Sequence, residues 1–247
     1  MYRSVYDFKA FYNSAPGEMV RRVIGARIRY LWPDARGMEI LGCGYAVPFL
    51  DALPEDSGRV IAMMPRSLGA DHWPAEGRNL VALVEQEQLP LSNCSMDRIL
   101  MVHHLEHCEN LSATLRECWR VIKPNGRLMV IVPSRTGFWA RAEWSPFGHG
   151  SPFSLSQLCF YLRDNLFVQE RCIGALYTPP IRMNMIMRSS AVIEHLGRHM
   201  LPFMAGVHIV EASKQIYAGV DKTGSGTAVP VGRRRPILGG APEIVPQ

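Results

Sequence analysis

Long hydrophobic runs are absent from this sequence of 247 residues, and no stretch approaches the roughly 18 apolar residues that a membrane-spanning helix requires. Residues 1–7 also lack the apolar core of a secretory signal. We therefore expect no transmembrane segment and a cytoplasmic location.

Paired cysteines are absent as well. None of the six cysteines belongs to a CxxC motif, and their spacing resembles no zinc-binding framework. Most of them lie within apolar patterns, where a reduced cysteine behaves as a small hydrophobic residue. We therefore expect free thiols and no metal site.

A strong charge of either sign is also missing. The formal net charge is +5, from 27 Lys and Arg against 22 Asp and Glu, and part of the positive charge lies at 233–235. The rest of the chain is only mildly basic. This balance suits a small-molecule substrate and gives no reason to expect a nucleic-acid partner.

What the sequence does contain is an alternation of helix-like and strand-like patterns. Apolar residues recur at helical spacing over 14–31 and 111–122, and a further helix is predicted at 45–53. Five short runs are almost continuously apolar: 38–41, 59–64, 79–84, 97–102 and 127–132. Buried strands that alternate with helices are typical of a parallel sheet covered on both faces.

The second half of the sequence is less regular. Its patterns predict, in order, a long loop at 133–152, a helix at 154–162, a strand at 167–173, a helix at 188–200 and a last strand at 207–212. Periodicity ends after 219. We therefore expect three parts: an N-terminal helical cap at 1–35, an α/β domain at 36–218 and a flexible, basic, Pro/Gly-rich tail at 219–247.

Two glycines directly follow the first predicted strand. At Gly42 and Gly44 the missing side chains let the backbone approach a ligand, and the next helix offers unpaired N–H groups at its first turn. A GxG turn alone is weak evidence, because many such turns serve packing only. Its weight comes from the motifs that accompany it.

Five blocks follow one another in a constant order: Glu39-Ile40-Leu41-Gly42-Cys43-Gly44, Gln88-Leu89-Pro90-Leu91, Met96-Asp97-Arg98-Ile99, His104-Leu105-Glu106-His107, and Arg120 to Leu128. Together they resemble the class I S-adenosylmethionine-dependent methyltransferases, in particular the branch that includes the ubiquinone and menaquinone methyltransferases. The likeness covers roughly residues 36–134. It implies an α/β fold, a Rossmann-like three-layer sandwich whose sheet is mostly parallel with an antiparallel last strand. It also implies S-adenosylmethionine as cofactor.

The resemblance further implies which positions contact that cofactor. In the family the glycine turn packs against the methionine part, the loop after the second strand holds the ribose, and an acidic residue before Leu-Pro holds the adenine amine. The end of the fourth strand borders the methyl group. By position these roles fall on Gly42, Cys43, Gly44, Tyr45, Met64, Glu85, Gln86, Val102 and His103.

Two positions depart from the family pattern. Ile40 stands two residues before Gly42, where the family has an acid, and Glu39 is one step away on the opposite face of the strand. Met64 ends the second strand, where an acid normally binds both ribose hydroxyls. Losing that charge-assisted contact costs about 1.5–3 kcal/mol. The departures predict weaker cofactor binding and leave the predicted fold unchanged.

Histidines supply the catalytic candidates. His104 follows the fourth strand, and His149 lies between two glycines in the long loop, where such enzymes bind substrate. We predict that the acceptor lies between these segments and that His149 transfers a proton. The alternative is that His149 only satisfies a loop carbonyl. His103 and His107 also have metal-ligand spacing, but the resemblance favours hydrogen bonding there and we expect no metal.

The sequence therefore predicts a methyltransferase that acts on a small-molecule acceptor by in-line transfer. Such transfer mainly requires alignment and desolvation, and it requires a general base only where the acceptor must lose a proton. Two other interpretations stay open. One is a non-catalytic binding or scaffold protein of the same fold, which Met64 favours. The other is a methyltransferase acting on RNA or protein, although no RNA-binding module or aromatic-basic strip supports it.

Overall fold

The computed structural model describes residues 4–53, 56–180, 194 and 204–214. The chain divides into Met1–Ile216 and Tyr217–Gln247, and all described residues belong to the first unit. The predicted tail at 219–247 lies outside the described residues, as does the predicted helix at 188–200 apart from Glu194.

Two helices precede the sheet, α1 at Val5–Tyr12 and α2 at Ala15–Leu31. α2 begins after Ser14, whose hydroxyl accepts a hydrogen bond from the N–H of Gly17, and it confirms the predicted helix. α1 was not predicted. It is held to the protein by one apolar face that consists of Val5, Phe8, Phe11 and Tyr12, all buried.

Seven strands form a single sheet in the order β3-β2-β1-β4-β5-β7-β6. Their bounds are β1 Ile40–Gly44, β2 Val60–Pro65, β3 Val81–Val84, β4 Met96–Val102, β5 Ile122–Pro133, β6 Phe167–Ala175 and β7 Val207–Lys214. Strands β1 to β5 are parallel, and β7 runs antiparallel to both β5 and β6. The predicted fold class is therefore confirmed, including the antiparallel last strand.

Helices cover both faces of this sheet. The other α-helices whose bounds fall within the described residues are α3 Val47–Leu50, α4 Leu111–Val121 and α5 Leu155–Asp164. Alternate residues of β1 enter two separate cores. Ile40 packs in the core that contains residues of α1, α2 and α3, and Leu41 packs in the core that contains residues of α4 and α5. No helix in the described ranges is long and apolar enough to cross a membrane.

Two predicted boundaries are wrong. The helix predicted at 45–53 is reduced to the single turn of α3, which ends at Leu50 and is followed by a turn at 51–52. β5 begins at Ile122, which pairs with Met96 of β4, although the segment from Lys123 was predicted to end a helix. The Pro-Asn-Gly turn is accommodated inside the strand as an irregularity, with Asn125 at φ 60°.

Candidate functional site

Two cavities open where β2, β3 and β4 end, which is where open α/β sheets bind ligands. The larger has a volume of about 390 Å³ and the smaller about 290 Å³. They share the lining residues Pro65, Ser67, Gln86 and His107. The larger cavity is rimmed by polar groups of the β3 loop, whereas Phe8, Leu68 and His103 complete the smaller one.

The glycine turn stands beside the loop that follows β4. Gly44 has φ 74°, and a Cβ there would lie 2.8 Å from the carbonyl oxygen of His103. The next residue, Tyr45, donates its N–H to the carbonyl of Val102 at 2.9 Å. At Gly42 a Cβ would touch Leu50 of α3 at 3.1 Å. Both glycines therefore give room to other parts of the chain, and Gly44 joins the turn after β1 to the turn after β4.

His103 is the most constrained side chain of the site. Its backbone has φ 50°, an uncommon value for a residue with a Cβ. One ring nitrogen, Nε2, lies 2.7 Å from the hydroxyl of Tyr12, and the other, Nδ1, lies 3.3 Å from Oε1 of Glu106. The second carboxylate oxygen of Glu106 accepts the N–H of His104 at 3.1 Å. The side chains of His103 and Glu106 are both 0% exposed, so the pair lies in a region of low dielectric constant.

The electrostatics of the turn after β4 follow from this burial. Burial alone would raise the pKa of Glu106, but hydrogen bonding and the charges of His103 and His107 hold it below its usual value. Burial lowers the pKa of His104 to about 4, so this imidazole is neutral at pH 7. Its Nδ1 has no hydrogen-bond partner within the described part of the chain. A charged carboxylate and a neutral imidazole thus lie side by side in the buried turn.

Aromatic rings enclose the His103 imidazole. Phe8 lies 5.1 Å from it edge-on, and Phe147 lies 4.7 Å from it, both measured between ring centroids. The ring of Tyr12 stacks on Tyr45 at 5.9 Å. Helix α1 therefore packs its rings against the turns after β1 and β4.

The structure brings only some of the predicted cofactor residues to the cavities. Glu85 and Gln86 line the larger cavity, and Gln86 and His103 line the smaller one. The side chains of Cys43, Met64 and Val102 are buried in the two cores, and none of the three lines either cavity. Their predicted contacts stay predictions, as do those of Gly42, Gly44 and Tyr45, which do not line these cavities either.

After β2, the cavities are lined by Arg66 and Ser67, the residues just beyond Met64 and Pro65. Arg66 pairs with Glu85 at 3.2 Å, and both side chains are well exposed. The other departure from the family pattern is Ile40, and the neighbouring Glu39 does not replace the missing acid. Glu39 instead accepts a hydrogen bond from Arg59 at 2.7 Å at the start of β1, away from the glycine turn.

Gln86 is fixed by a neighbouring thiol. Burial raises the pKa of Cys108 to about 12, so the thiol keeps its proton and donates it to Oε1 of Gln86 at 2.8 Å. The amide nitrogen of Gln86 is thereby directed away from Cys108. This orientation is the kind of polar contact that distinguishes one ligand edge from another.

His149 lies beside the site in the long loop. Its Nε2 contacts the carbonyl oxygen of Glu143 at 2.7 Å, and Ser151 donates its N–H to the carbonyl of Glu106 at 2.8 Å. The loop is therefore anchored to the turn after β4. A proton-transfer role for His149 stays a prediction, as does one for His104.

Sequence reasoning missed the contribution of α1. Phe8 and Tyr12 reach the site from a helix whose signals were present: Val5, Phe8 and Tyr12 are spaced i, i+3 and i+7. Ser4 precedes this pattern and donates its N–H to Asp7 at 3.3 Å, as in a capping box. Together these signals could have identified the helix.

The residues present fit an adenosine-bearing ligand. An amide, a carboxylate and a hydroxyl, from Gln86, Glu85 and Ser67, face the cavities together with the apolar surfaces of Phe8 and Leu68. The smaller cavity combines apolar walls with a few polar groups, which is typical of cofactor sites, and the larger cavity is lined mainly by polar residues. Among the residues that the structure describes, no cluster of three or more His, Cys, Asp or Glu side chains is arranged to hold a metal ion.

Comparison with known proteins agrees with this geometry. Residues 41–130 match the family described as "Methyltransferase domain". A probable S-adenosylmethionine-dependent methyltransferase of Mycobacterium tuberculosis is 31% identical over 97 residues, which are 38% of this chain and 35% of that protein. The ubiquinone/menaquinone biosynthesis C-methyltransferase of Rubrivivax gelatinosus is 33% identical over 61 residues, 25% of this chain and 24% of that protein. The chain thus matches only about a third or less of the length of these curated relatives.

The fold likeness extends further than the sequence likeness. A solved structure from Thermotoga maritima, described as an S-adenosylmethionine-dependent methyltransferase and possible histamine N-methyltransferase, superposes with a TM-score of 0.59. The match covers 85% of this chain and 96% of that one at 16% sequence identity. Residues 41–130 are therefore similar to the methyltransferase domain family, and the chain has the fold of the S-adenosylmethionine-dependent methyltransferases.

Proposed function

We propose that this protein transfers a methyl group from S-adenosylmethionine to a small-molecule acceptor. The observation that carries the proposal is the convergence of three turns, after β2, β3 and β4, on two adjoining cavities at the carboxyl edge of the sheet. Such an edge is the usual ligand site of this architecture.

Each turn has a distinct task in this proposal. Gln86 and Glu85 hold the adenine edge, with the amide of Gln86 oriented by Cys108. Ser67 and the backbone at Pro65 face the ribose side. When bound, S-adenosylmethionine supplies an electrophilic methyl group. The backbone of the glycine turn and His103 border the place where that group is received.

The rings of α1 exclude water from the reacting region. Phe8, Tyr12 and Phe147 surround His103, and all four side chains are buried. In a buried region without water, fixed dipoles act more strongly on developing charge than they would in water. An apolar or planar acceptor suits these rings, because they desolvate it without leaving a charge unpaired.

A direct test is incubation of the purified protein with a cell metabolite extract and methyl-labelled S-adenosylmethionine. Label should enter a discrete small molecule, and the Gly44→Val variant should transfer none because the turn cannot close. Label that stays on the cofactor at every protein concentration would contradict the proposal.

A non-catalytic role of the same fold is the second candidate. Two observations favour it: the side chain of Met64 lies in the core where the family has a ribose-binding acid, and α1 covers His103. A protein that binds S-adenosylhomocysteine but never transfers label from S-adenosylmethionine would support this role.

A further inference from the structure

We propose that Cys94 and Lys214 form an oxidation site, at which a peroxide couples the thiol sulfur to the lysine nitrogen. The proposal starts from one contact between residues that are 120 positions apart: Nζ of Lys214 lies 3.7 Å from Sγ of Cys94. It does not depend on methyl transfer, because the pair lies at the other edge of the sheet from the two cavities.

The strand directions place the pair at that edge. Cys94 lies just before β4, whereas the cavities open beyond the last residues of β2, β3 and β4. Lys214 is the last residue of β7. Because β7 runs antiparallel to β5, which is parallel to β4, the end of β7 lies beside the start of β4.

Cys94 is the cysteine most open to a small oxidant. Its side chain is exposed, and those of the other five cysteines are buried or only partly exposed. Burial raises the pKa of Cys108, Cys159 and Cys172, so less of each is present as the thiolate that peroxides oxidise. Oxidation should therefore begin at Cys94.

The turn that carries Cys94 is held in place by the end of α4. The N–H of Cys94 donates to the carbonyl of Arg120 at 3.0 Å, and the N–H of Ser95 donates to the carbonyl of Val121 at 2.8 Å. The guanidinium of Arg120 also donates to the side-chain oxygen of Asn93 at 2.7 Å. These contacts fix the position of the sulfur relative to α4.

Lys214 is held beside the sulfur by its own buried contacts. The residue is 1% exposed, and its Nζ donates to the carbonyl of Ile122 at 2.7 Å. The same nitrogen lies 4.0 Å from the ring centroid of Trp119, a cation–π contact. In the described part of the chain no carboxylate contacts this amine, although a buried lysine is usually paired with one. The thiol stands in the place of such a partner.

Each step of the coupling is balanced. The O–O bond of the peroxide breaks, one oxygen adds to Sγ with loss of two electrons from sulfur, and the other oxygen leaves as water. Nζ then gives one ammonium proton to the resulting sulfenic acid, whose hydroxyl leaves as water with the electron pair of the S–O bond. The nitrogen lone pair forms the S–N bond, and a second proton passes to solvent. Sulfenic acids condense with backbone nitrogens to sulfenamides in the same way.

A thiol reductant reverses the coupling. Its thiolate attacks Sγ, the S–N bond breaks with its electron pair on nitrogen, and the amine takes up protons from solvent. A second thiol then releases Cys94 from the mixed disulfide. The site is thus a reversible cross-link between the turn before β4 and the end of β7.

The test treats the full chain with hydrogen peroxide and maps cross-linked peptides by mass spectrometry. The wild type should give a peptide pair that joins Cys94 to Lys214, lighter than the two separate peptides by two hydrogen atoms and separated again by dithiothreitol. Cys94→Ser should give no such pair. Cys159→Ser removes a partly exposed thiol of α5, and as the matched control it should give the pair in undiminished yield.

Dimedone, which traps sulfenic acids, supplies a second readout. Lys214→Arg keeps a cation next to Trp119 but removes the amine that condenses, so dimedone should label Cys94 several-fold more in this variant than in the wild type. If Lys214→Arg does not fold, the peptide pair in the wild type and Cys94→Ser decides the question. A wild type whose Cys94 is oxidised without the cross-link, or stays reduced while Cys159 is oxidised, overturns the inference.

Discussion

The hydroxyl of Tyr12 lies 2.7 Å from Nε2 of His103, and this contact joins the first helix to the turn that follows β4. The two residues are separated by 91 positions, and neither is exposed by more than 2%. The contact makes α1 part of the site itself. Substitutions in α1 should therefore change the affinity for the ligand as well as the stability of the protein.

Phe8 provides the first prediction. Phe8→Ala should lower the free energy of unfolding by about 3–5 kcal/mol, because it removes a fully buried ring. It should also weaken binding of S-adenosylmethionine, since Phe8 lines the smaller cavity. Urea unfolding and calorimetry measure the two effects. Phe160→Ala, on a ring that is 60% exposed, is the matched control and should change neither quantity appreciably.

The second prediction concerns the glycine turn. Gly44→Ala should lower the free energy of unfolding by about 2 kcal/mol or more, because φ 74° and contact with the backbone of the β4 turn both oppose a side chain. Gly42→Ala should cost less, since the three atoms nearest to its Cβ would be side-chain atoms of Ala46 and Leu50 at 3.0–3.2 Å, whereas at Gly44 backbone oxygens lie closer. Urea midpoints of the two variants decide the matter, and equal losses would show that the close approach at Gly44 is unimportant.

The third prediction concerns Met64. Met64→Asp should destabilise the protein by several kcal/mol, because the side chain is fully buried and an unpaired carboxylate cannot be accommodated there. Ser67→Asp places the same group on the cavity wall and should be tolerated, with tighter binding of S-adenosylmethionine. Thermal unfolding and calorimetry test both variants. A stable Met64→Asp protein with improved affinity would show instead that position 64 reaches the ribose.

The fourth prediction concerns pH. His104 has a pKa of about 4 in the folded protein against 6.5 for an unperturbed imidazole, so between these values the unfolded chain binds a proton that the folded chain does not. Its contribution to stability is complete above pH 6.5 and is lost as the pH falls towards 4, by about 3 kcal/mol.

Urea unfolding at a series of pH values should show this decline in the wild type and a shallower one in His104→Asn. A residual slope is expected from His107, whose pKa is also lowered by burial. Identical slopes in the two proteins would refute the assignment to His104.

Much of the fold follows from the sequence because its central strands, β1, β4 and most of β5, are buried on both sides. The five apolar runs identify β1 to β5, and the glycines locate the turn after β1. α1 was missed although its apolar spacing and Ser4–Asp7 pair were visible, because an eight-residue helix is stable only where tertiary packing supports it.

The site was less predictable than the fold because it depends on single-residue geometry. Met64 and Ser67 are only three positions apart, yet the first faces the core and the second faces the cavities. His103 and His104 are adjacent, yet of the two only His103, whose backbone has φ 50°, lines a cavity. Sequence periodicity cannot settle such choices, since they are made by a turn and not by a regular element.

The central claim is that the two cavities bind S-adenosylmethionine, and calorimetric titration of the purified protein with that cofactor tests it most directly. We expect saturable binding with one site per chain, competition by S-adenosylhomocysteine, and a loss of affinity of about 5–30-fold in Gln86→Ala, as for one buried hydrogen bond. Gln169→Ala, at an exposed position of β6, should bind like the wild type. Absence of measurable heat at millimolar cofactor, or equal affinity in Gln86→Ala and the wild type, would contradict the account.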